Sequence, residues 1–195
     1  MSSHDELLLS VESAIGEHGF DAVTFEQIAT EAGLNRVTLY RRGHTRESLL
    51  TEVAAVAAAE FREACLPALT HPGTAPERLY LLSEALFDLA DRHLALLAGL
   101  FDGPTAIFHL TVDDHHVLTR LEYSDPFQRI LSDGTAEGSM DSRDPAEDAE
   151  VLFNLLGWTY IHLRRSHGWD SARAREATRR QIHYATSEVR PRSHS

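Results

Sequence analysis

The chain of 195 residues contains a single cysteine and no lysine, so all 18 of its basic residues are arginines. One thiol, Cys65, excludes an internal disulfide framework and fits a reducing compartment. The N-terminus lacks a basic region followed by an apolar run, so no signal peptide is predicted. No apolar stretch approaches the roughly 18–20 residues that span a bilayer. We therefore expect a cytoplasmic protein.

Strand-like alternation of apolar and polar residues is also missing, whereas helical spacing of apolar residues recurs along the chain. About nine helices are predicted, and the fold class is therefore all-α. Since 43% of the residues are hydrophobic, the chain can bury a sizeable core and is not expected to be disordered. We found no GxSxG motif or phosphate-binding glycine loop, so we predict that the protein is not an enzyme.

A formal net charge of −12 is unfavourable for binding nucleic acid, but the charge is unevenly distributed. Residues 34–46 contain four arginines and no acidic residue. Salt screens exposed charges beyond about 8–10 Å, so this local patch governs contact with DNA more than the distant acidic residues do.

The arginine patch lies within a stretch, residues 24–50, that predicts two short helices joined by a tight turn. Thr24 and Gln27 have the spacing of a capping box. Gly33 can end the first helix in the left-handed conformation, and Asn35 can cap the second. This arrangement is the helix-turn-helix signature. The second helix would present side chains that can reach base edges and phosphates, namely Arg36, Thr38, Tyr40 and Arg41.

Residues 5–55 resemble the TetR family of bacterial transcriptional regulators. The resemblance is carried by Ala14, Gly19, Thr24, Ile28, Ala29, Ala32, Gly33, Leu34, Thr38, Leu39, Tyr40, Glu47 and Leu49. It implies that Arg36, Val37 and Tyr40 lie at or near the bases and that Thr24, Asn35, Thr38 and Arg46 contact the DNA backbone. Two positions differ from the family, which most often has Phe at position 43 and Lys at position 46. Gly43 is expected to loosen the second helix of the motif.

We predict a DNA-binding domain at residues 1–50, an effector-binding and dimerisation domain at 51–190, and a disordered tail at 191–195. The fourth helix, predicted at residues 46–66, would join the two domains and end at Pro67. Further helices are predicted at about 77–99, 114–131, 145–166 and 170–188, with a loop at 132–145.

The last two predicted helices carry apolar stripes, and their residues are candidates for a dimer interface. Together the two stripes form more apolar surface than the rest of the predicted domain at 51–190 can cover. Either stripe alone, however, could pack on that domain. The resemblance also implies a homodimer built on these helices. A two-fold dimer would let two DNA-binding domains, here called reading heads, contact the two half-sites of an operator. The candidate interface residues are Leu152, Leu155, Leu156, Thr159, Leu163, Ala174, Ala177 and Ile182.

A small-molecule pocket is expected between the helices of the body. Its candidate lining residues, which favour an apolar or aromatic ligand, are Phe87, Phe101, Phe108, Tyr123, Phe127 and Trp158. No cofactor is predicted. No metal site is predicted either, because His115 and His116 would point about 100° apart on a helix and no HExxH or cysteine spacing occurs.

The favoured interpretation is a homodimeric regulator, a repressor that an effector releases from a palindromic operator. The alternative is a ligand- or metal-binding helical protein whose head no longer reads DNA, for which Gly43 is the main support.

Overall fold

A computed structural model describes residues 3–99, 111–112, 115–116 and 120–186, with side chains in 3–99 and 123–181. The all-α prediction is confirmed, because these residues form nine helices and one antiparallel pair of two-residue strands. The helices are α1 (Ser3–His18), α2 (Phe25–Glu31), α3 (Arg36–Arg41), α4 (Arg46–Thr70), α5 (Ala75–Arg92), α6 (Leu94–Gly99), α7 (Arg120–Glu137), α8 (Pro145–Arg165) and α9 (Ser171–Thr186). The strands are β1 (Thr111–Val112) and β2 (His115–His116).

The chain divides into two compact units. The first unit comprises Met1–Glu63 and Leu89–Arg120, and the second comprises Ala64–Asp88 and Leu121–Ser195. The functional domains at 1–50 and 51–190 stay a prediction, and the proposed tail at 191–195 lies outside the described residues. In the described parts of the chain, no helix is both long and apolar enough to cross a membrane.

The first unit is built on close packing between α1 and α6. A Cβ added to Gly16 of α1 would lie 2.8 Å from the Cβ of Ala95, so the two helices touch where α1 has no side chain. The backbone N–H of Phe20 donates to the carbonyl of Gly99 over 3.1 Å, at the other end of the contact. Val11 and Ile15 of α1 are completely buried. The missing Cβ at Gly16 therefore sets how closely α6 can approach.

In the second unit, Arg175 of α9 reaches two carboxylates of α5. Its guanidinium lies 3.4 Å from Glu84 and 2.7 Å from Asp88. Tyr160 of α8 is fully buried, and its hydroxyl lies 3.0 Å from that of Ser171 at the start of α9. These polar contacts hold α9 against α5 and α8, where α9 itself has few large apolar side chains.

Two of the predicted helix ends are confirmed by their caps. Pro145 begins α8 as predicted, and the Asp144 carboxylate accepts from the N–H groups of Ala146 and Glu147. The Asp170 carboxylate accepts from the N–H of Arg173 over 2.8 Å in the first turn of α9. Local side-chain capping explains why these ends were predictable.

The predicted end of α4 at Pro67 is wrong, because the helix continues to Thr70. Proline removes one backbone donor, but it does not prevent a final turn whose carbonyls have other partners. Arg78 donates to the carbonyls of Ala68 and Leu69, over 3.3 Å in each case. This cap from the following helix satisfies two carbonyls of the turn that comes after the proline.

The predicted helix at 77–99 is instead two helices that meet at His93. The region predicted as a helix from residue 114 holds β2, and the described helix α7 spans Arg120–Glu137. The start of the predicted loop at 132–145 is helical as far as Glu137. Gly134 lies within α7, where a Cβ would be only 2.8 Å from side-chain atoms of Ala75 and Met140. The glycine therefore serves close packing here and does not end the helix.

Replacing Gly16 by alanine tests the contact between α1 and α6. The added methyl group would press on Ala95, and we expect a loss of about 1–3 kcal/mol in the free energy of unfolding. Gly157→Ala is a matched control inside α8, since its Cβ would meet only Leu86 at 4.0 Å. In that control the free energy of unfolding is expected to stay unchanged or to rise by up to about 1 kcal/mol, because alanine has the higher helix propensity. Urea unfolding of both variants checks this, and equal effects would contradict the packing argument.

Candidate nucleic-acid interface

Helix α2 begins with the predicted capping box. The N–H of Gln27 donates to Thr24 Oγ1 over 3.2 Å, and the N–H of Thr24 donates to Gln27 Oε1 over 2.8 Å. The helix ends before Gly33, which has φ +64° as predicted. Its buried face presents Ile28 and the small residue Ala29. The sequence thus predicted both ends of this helix.

Helix α3 begins at the predicted cap, Asn35, whose Oδ1 accepts from the N–H of Thr38 over 2.7 Å. The Thr38 hydroxyl donates to the same oxygen over 2.9 Å. Leu39 is fully buried and anchors the helix to the first unit. Gly43 follows the helix with φ +86°, and the next N–H, that of His44, donates back to the carbonyl of Leu39. This is the hydrogen bond of a glycine-assisted helix end.

The outer surface of α3 has no partner in the described part of the chain. Val37 is 57% exposed and Tyr40 is 71% exposed. Arg36, Arg41 and the following residue Arg42 are also exposed, and no described residue forms an ion pair with them. A six-residue helix with three available guanidinium groups on or beside it and two exposed hydrophobic side chains can insert into a major groove and contact bases and phosphates.

Arg46 has a structural role that the sequence analysis missed. Its guanidinium donates to the carbonyls of Val23, Phe20 and Asp21 over 2.5, 3.0 and 2.9 Å. These bonds hold the loop between α1 and α2 against the start of α4. The predicted contact of Arg46 with a phosphate stays a prediction, while the other three patch arginines are fully available on α3 or at its end.

The predicted dimer residues occupy two different environments. Leu156 and Ala174 are fully buried, Leu152 is nearly so, and Leu155 is 40% exposed. Val151, one turn before Leu155, is 60% exposed and was not predicted. Thr159, Leu163 and Ala177 are half-buried, and the side chain of Ile182 lies outside the described residues. The exposed apolar part of α8 is therefore centred on Val151 and Leu155.

Three of the four predicted pocket residues that the structure describes fall into two aromatic clusters. The ring of Phe87 lies 4.6 Å from that of Tyr160, measured between centroids. The ring of Phe153 lies 5.8 Å from Tyr123 and 6.1 Å from Phe127. The half-buried Trp158 donates from Nε1 to Asn154 over 3.1 Å, whereas Phe101 and Phe108 lie outside the described residues.

A cavity of about 210 Å³ in the second unit is lined by residues other than these aromatic ones. It lies beside Met140 and the two large exposed hydrophobic residues of α8, Val151 and Leu155. Cys65 is buried, and burial raises the pKa of its thiol to about 12. This thiol is therefore protonated and poorly reactive near neutral pH.

The capped pair of short helices with an exposed, arginine-bearing second helix defines a helix-turn-helix DNA-binding protein. The model of the family "Bacterial regulatory proteins, tetR family" matches residues 12–53, which contain the whole motif. No curated protein sequence is significantly similar to the chain.

Solved structures extend the similarity to the whole chain. The TetR family transcriptional regulator PfmR from Thermus thermophilus superposes with a TM-score of 0.79 at 20% identity, covering 98% of this chain and 99% of that one. The ketosteroid transcriptional regulator KstR2 of Mycobacterium tuberculosis gives 0.75 at 19% identity, with 96% of each chain covered. The fatty acid degradation regulator FadR from Bacillus halodurans gives 0.71 at 16% identity, with 98% of each covered. The N-terminal part of the chain thus matches the family model, and the chain shares its fold with these transcriptional regulators.

Replacing Arg46 by lysine, the residue that the family usually has there, tests its structural role. A single ammonium group on a flexible stem cannot serve three carbonyls as a planar guanidinium does. We expect a loss of about 1–3 kcal/mol in the free energy of unfolding. The matched control Arg42→Lys changes an exposed side chain and should stay within about 0.5 kcal/mol of the parent. Equal unfolding midpoints in urea would contradict the role assigned to Arg46.

Proposed function

We propose that the protein is a homodimeric repressor that binds a palindromic DNA operator through α3 and is released by a small-molecule effector. The single observation that carries the proposal is the surface of α3, where Arg36, Arg41 and Arg42 are exposed beside Val37 and Tyr40. In this proposal the protein acts in the cytoplasm and has no catalytic activity.

Each side chain on this surface has a chemical role in the proposal. The Arg36 guanidinium reads guanine through O6 and N7, while Arg41 neutralises phosphate. Val37 offers an apolar contact for a thymine methyl, and the Tyr40 hydroxyl reaches a phosphate. Thr24, Asn35 and Thr38 contact the backbone from the helix ends. Asn35 retains its Nδ2 donors for this, since only its Oδ1 is used in the cap.

Dimerisation follows from the size of the reading element. A helix of six residues is only about 9 Å long, so it contacts few base pairs and gives little specificity alone. The exposed apolar surface of α8, formed by Val151 and Leu155, supports pairing with the same surface of a second copy. A two-fold dimer places two copies of α3 on successive half-sites, and the operator is then palindromic.

Effector release requires a ligand that binds the DNA-incompetent state more tightly, because equal affinity for both states shifts no population. The aromatic cluster of Tyr123, Phe127 and Phe153 supports a site for an apolar or aromatic molecule in the second unit. Two proteins with the same fold are a regulator of fatty acid degradation and a ketosteroid regulator, and this supports an apolar effector here as well.

The reading role is tested by Arg36→Ala. We expect it to weaken binding to a selected operator by about 1–3 kcal/mol, mainly through discrimination at one base pair in each half-site. Arg143→Ala removes the same charge from an exposed loop of the second unit and should leave affinity within about twofold, since surface changes elsewhere are small. Binding is measured on the operator and on a scrambled duplex at two salt concentrations.

A protein that reads DNA prefers the operator, and its binding weakens steeply as salt rises. Equal, feeble binding of the parent to every duplex recovered from a random pool would contradict the proposal. That result would favour the alternative of a ligand-binding protein whose head does not read DNA.

The dimer surface is tested by Leu155→Glu. A charge placed inside an apolar interface is costly, so the dimer dissociation constant should rise by about tenfold or more while the helix content is unchanged. Leu66→Glu, which alters an exposed leucine of α4, is the matched control and should leave the dimer intact. Sedimentation equilibrium measures both variants, and a fully dimeric Leu155→Glu protein would refute this interface.

A further inference from the structure

Helices of the first unit meet at a buried histidine that the proposed function does not use. His93 lies between α5 and α6, facing Glu12 of α1 and Glu60 of α4. His93 is 7% exposed and Glu12 is 8% exposed, although charged side chains are rarely buried unless they are paired. Neither residue belongs to the helix-turn-helix or to its exposed surface.

Both ring nitrogens of His93 face carboxylates. Nδ1 lies 2.7 Å from Glu12 Oε1, and Nε2 lies 3.2 Å from Glu60 Oε2. A neutral imidazole has only one donor, whereas an ionised carboxylate has no proton to give. Only the imidazolium can donate to both partners at once. The geometry therefore indicates that His93 carries a positive charge in the folded protein.

The groups that face this cluster come from every neighbouring helix. Glu12 projects from α1 and Glu60 from α4, and Arg92 at the end of α5 lies 2.8 Å from Glu60 Oε2. Helix α6, with the sequence LALLAG, contributes no titratable side chain. With His93 charged, two cations balance two anions. Without that proton, one net negative charge remains around a nearly buried carboxylate.

The helix that His93 holds also supports the reading head. The Ser13 hydroxyl of α1 donates to Glu31 at the end of α2 over 2.6 Å. One turn further along α1, Gly16 contacts Ala95 of α6, two residues after His93. A link between Glu12 and His93 therefore acts on the same helix that positions the helix-turn-helix.

We propose that His93 is a positioning residue of the DNA-binding head, whose imidazolium ties Glu12 of α1 to Glu60 of α4, so that loss of its proton weakens DNA binding. The inference rests on the proposed function for its consequence at DNA. The link between the helices stands on contacts within the first unit alone.

The pH dependence of stability follows from the direction in which the pKa of His93 is shifted. Burial lowers the pKa of His93, but the hydrogen bonds and charges of Glu12 and then Glu60 outweigh burial and raise the pKa above its ordinary value of 6.5. A raised pKa in the folded state means that the stabilisation is fully present below pH 6.5. It is lost as pH rises through the higher value of the folded protein.

The test compares the full-length protein with His93→Gln, Glu12→Gln and the control His71→Gln, between about pH 6 and 9 at constant ionic strength. His71 is exposed in the turn after α4, where its ring accepts from the N–H of Gly73. The probe is a duplex that the parent protein selects from a random pool at about pH 6.5. Urea unfolding without DNA is measured over the same pH range, and NMR follows titration of the His93 ring.

The parent and His71→Gln should lose about tenfold in DNA affinity between about pH 6.5 and 8.5, with a matching fall in the free energy of unfolding. One proton can change the affinity by at most about tenfold per pH unit, so this loss is within the limit. His93→Gln should bind weakly at the lower pH and show no such slope. Glu12→Gln keeps an acceptor oxygen but removes its charge, so the midpoint of the fall in DNA affinity with pH should move to lower pH. This variant keeps the test decisive if His93→Gln fails to fold.

Profiles that coincide in the parent and His93→Gln, or a ring of His93 that is neutral at about pH 6, would overturn the proposal. If no duplex is bound at any pH but the stability profile still depends on His93, the proposed DNA-reading function fails and the link between α1, α4 and His93 is supported.

Discussion

The approach of α6 to α1 is the constraint on which the first unit depends. Gly16 allows the two backbones to come close, and the Phe20 N–H donates to the carbonyl of Gly99 at the end of the contact. The loop that contains Phe20 is then held by Arg46. Because α2 follows that loop, these long-range contacts determine where the helix-turn-helix lies on α1. Larger side chains at the contact would separate the helices and move the head.

The helix-turn-helix could be predicted in detail because the interactions that define it are local. The cap between Thr24 and Gln27 and the cap between Asn35 and Thr38 each span three residues. Gly33 lies where the chain needs a positive φ, which glycine adopts without a Cβ penalty. Residue types at fixed short spacings carry this information, so both ends of α2 followed from the sequence.

Several errors concern features that depend on contacts between different helices. Arg78 caps α4 beyond Pro67 from another helix, and His93 bonds to Glu12 across 81 residues at the point where α5 and α6 separate. Neither partner is visible in a local pattern, and the same is true of Arg46, which binds carbonyls more than 20 residues away. Helical spacing predicted the apolar stripe of α8, but spacing alone cannot show that Leu155 is exposed and Leu156 buried.

Gly43 has the backbone conformation that is needed at the end of α3. As a departure from the family aromatic, it predicts a loosened second helix of the motif, and it is the main support for the alternative of a head that no longer reads DNA. In the structure it has φ +86°, and the His44 N–H that follows it donates to the Leu39 carbonyl and closes α3. An L-residue would pay roughly 1–2 kcal/mol to adopt that conformation. Because Leu39 is itself fully buried, this bond ties the end of α3 to the core of the first unit. The glycine thus defines the end of the reading helix, and its presence agrees with a head that binds DNA.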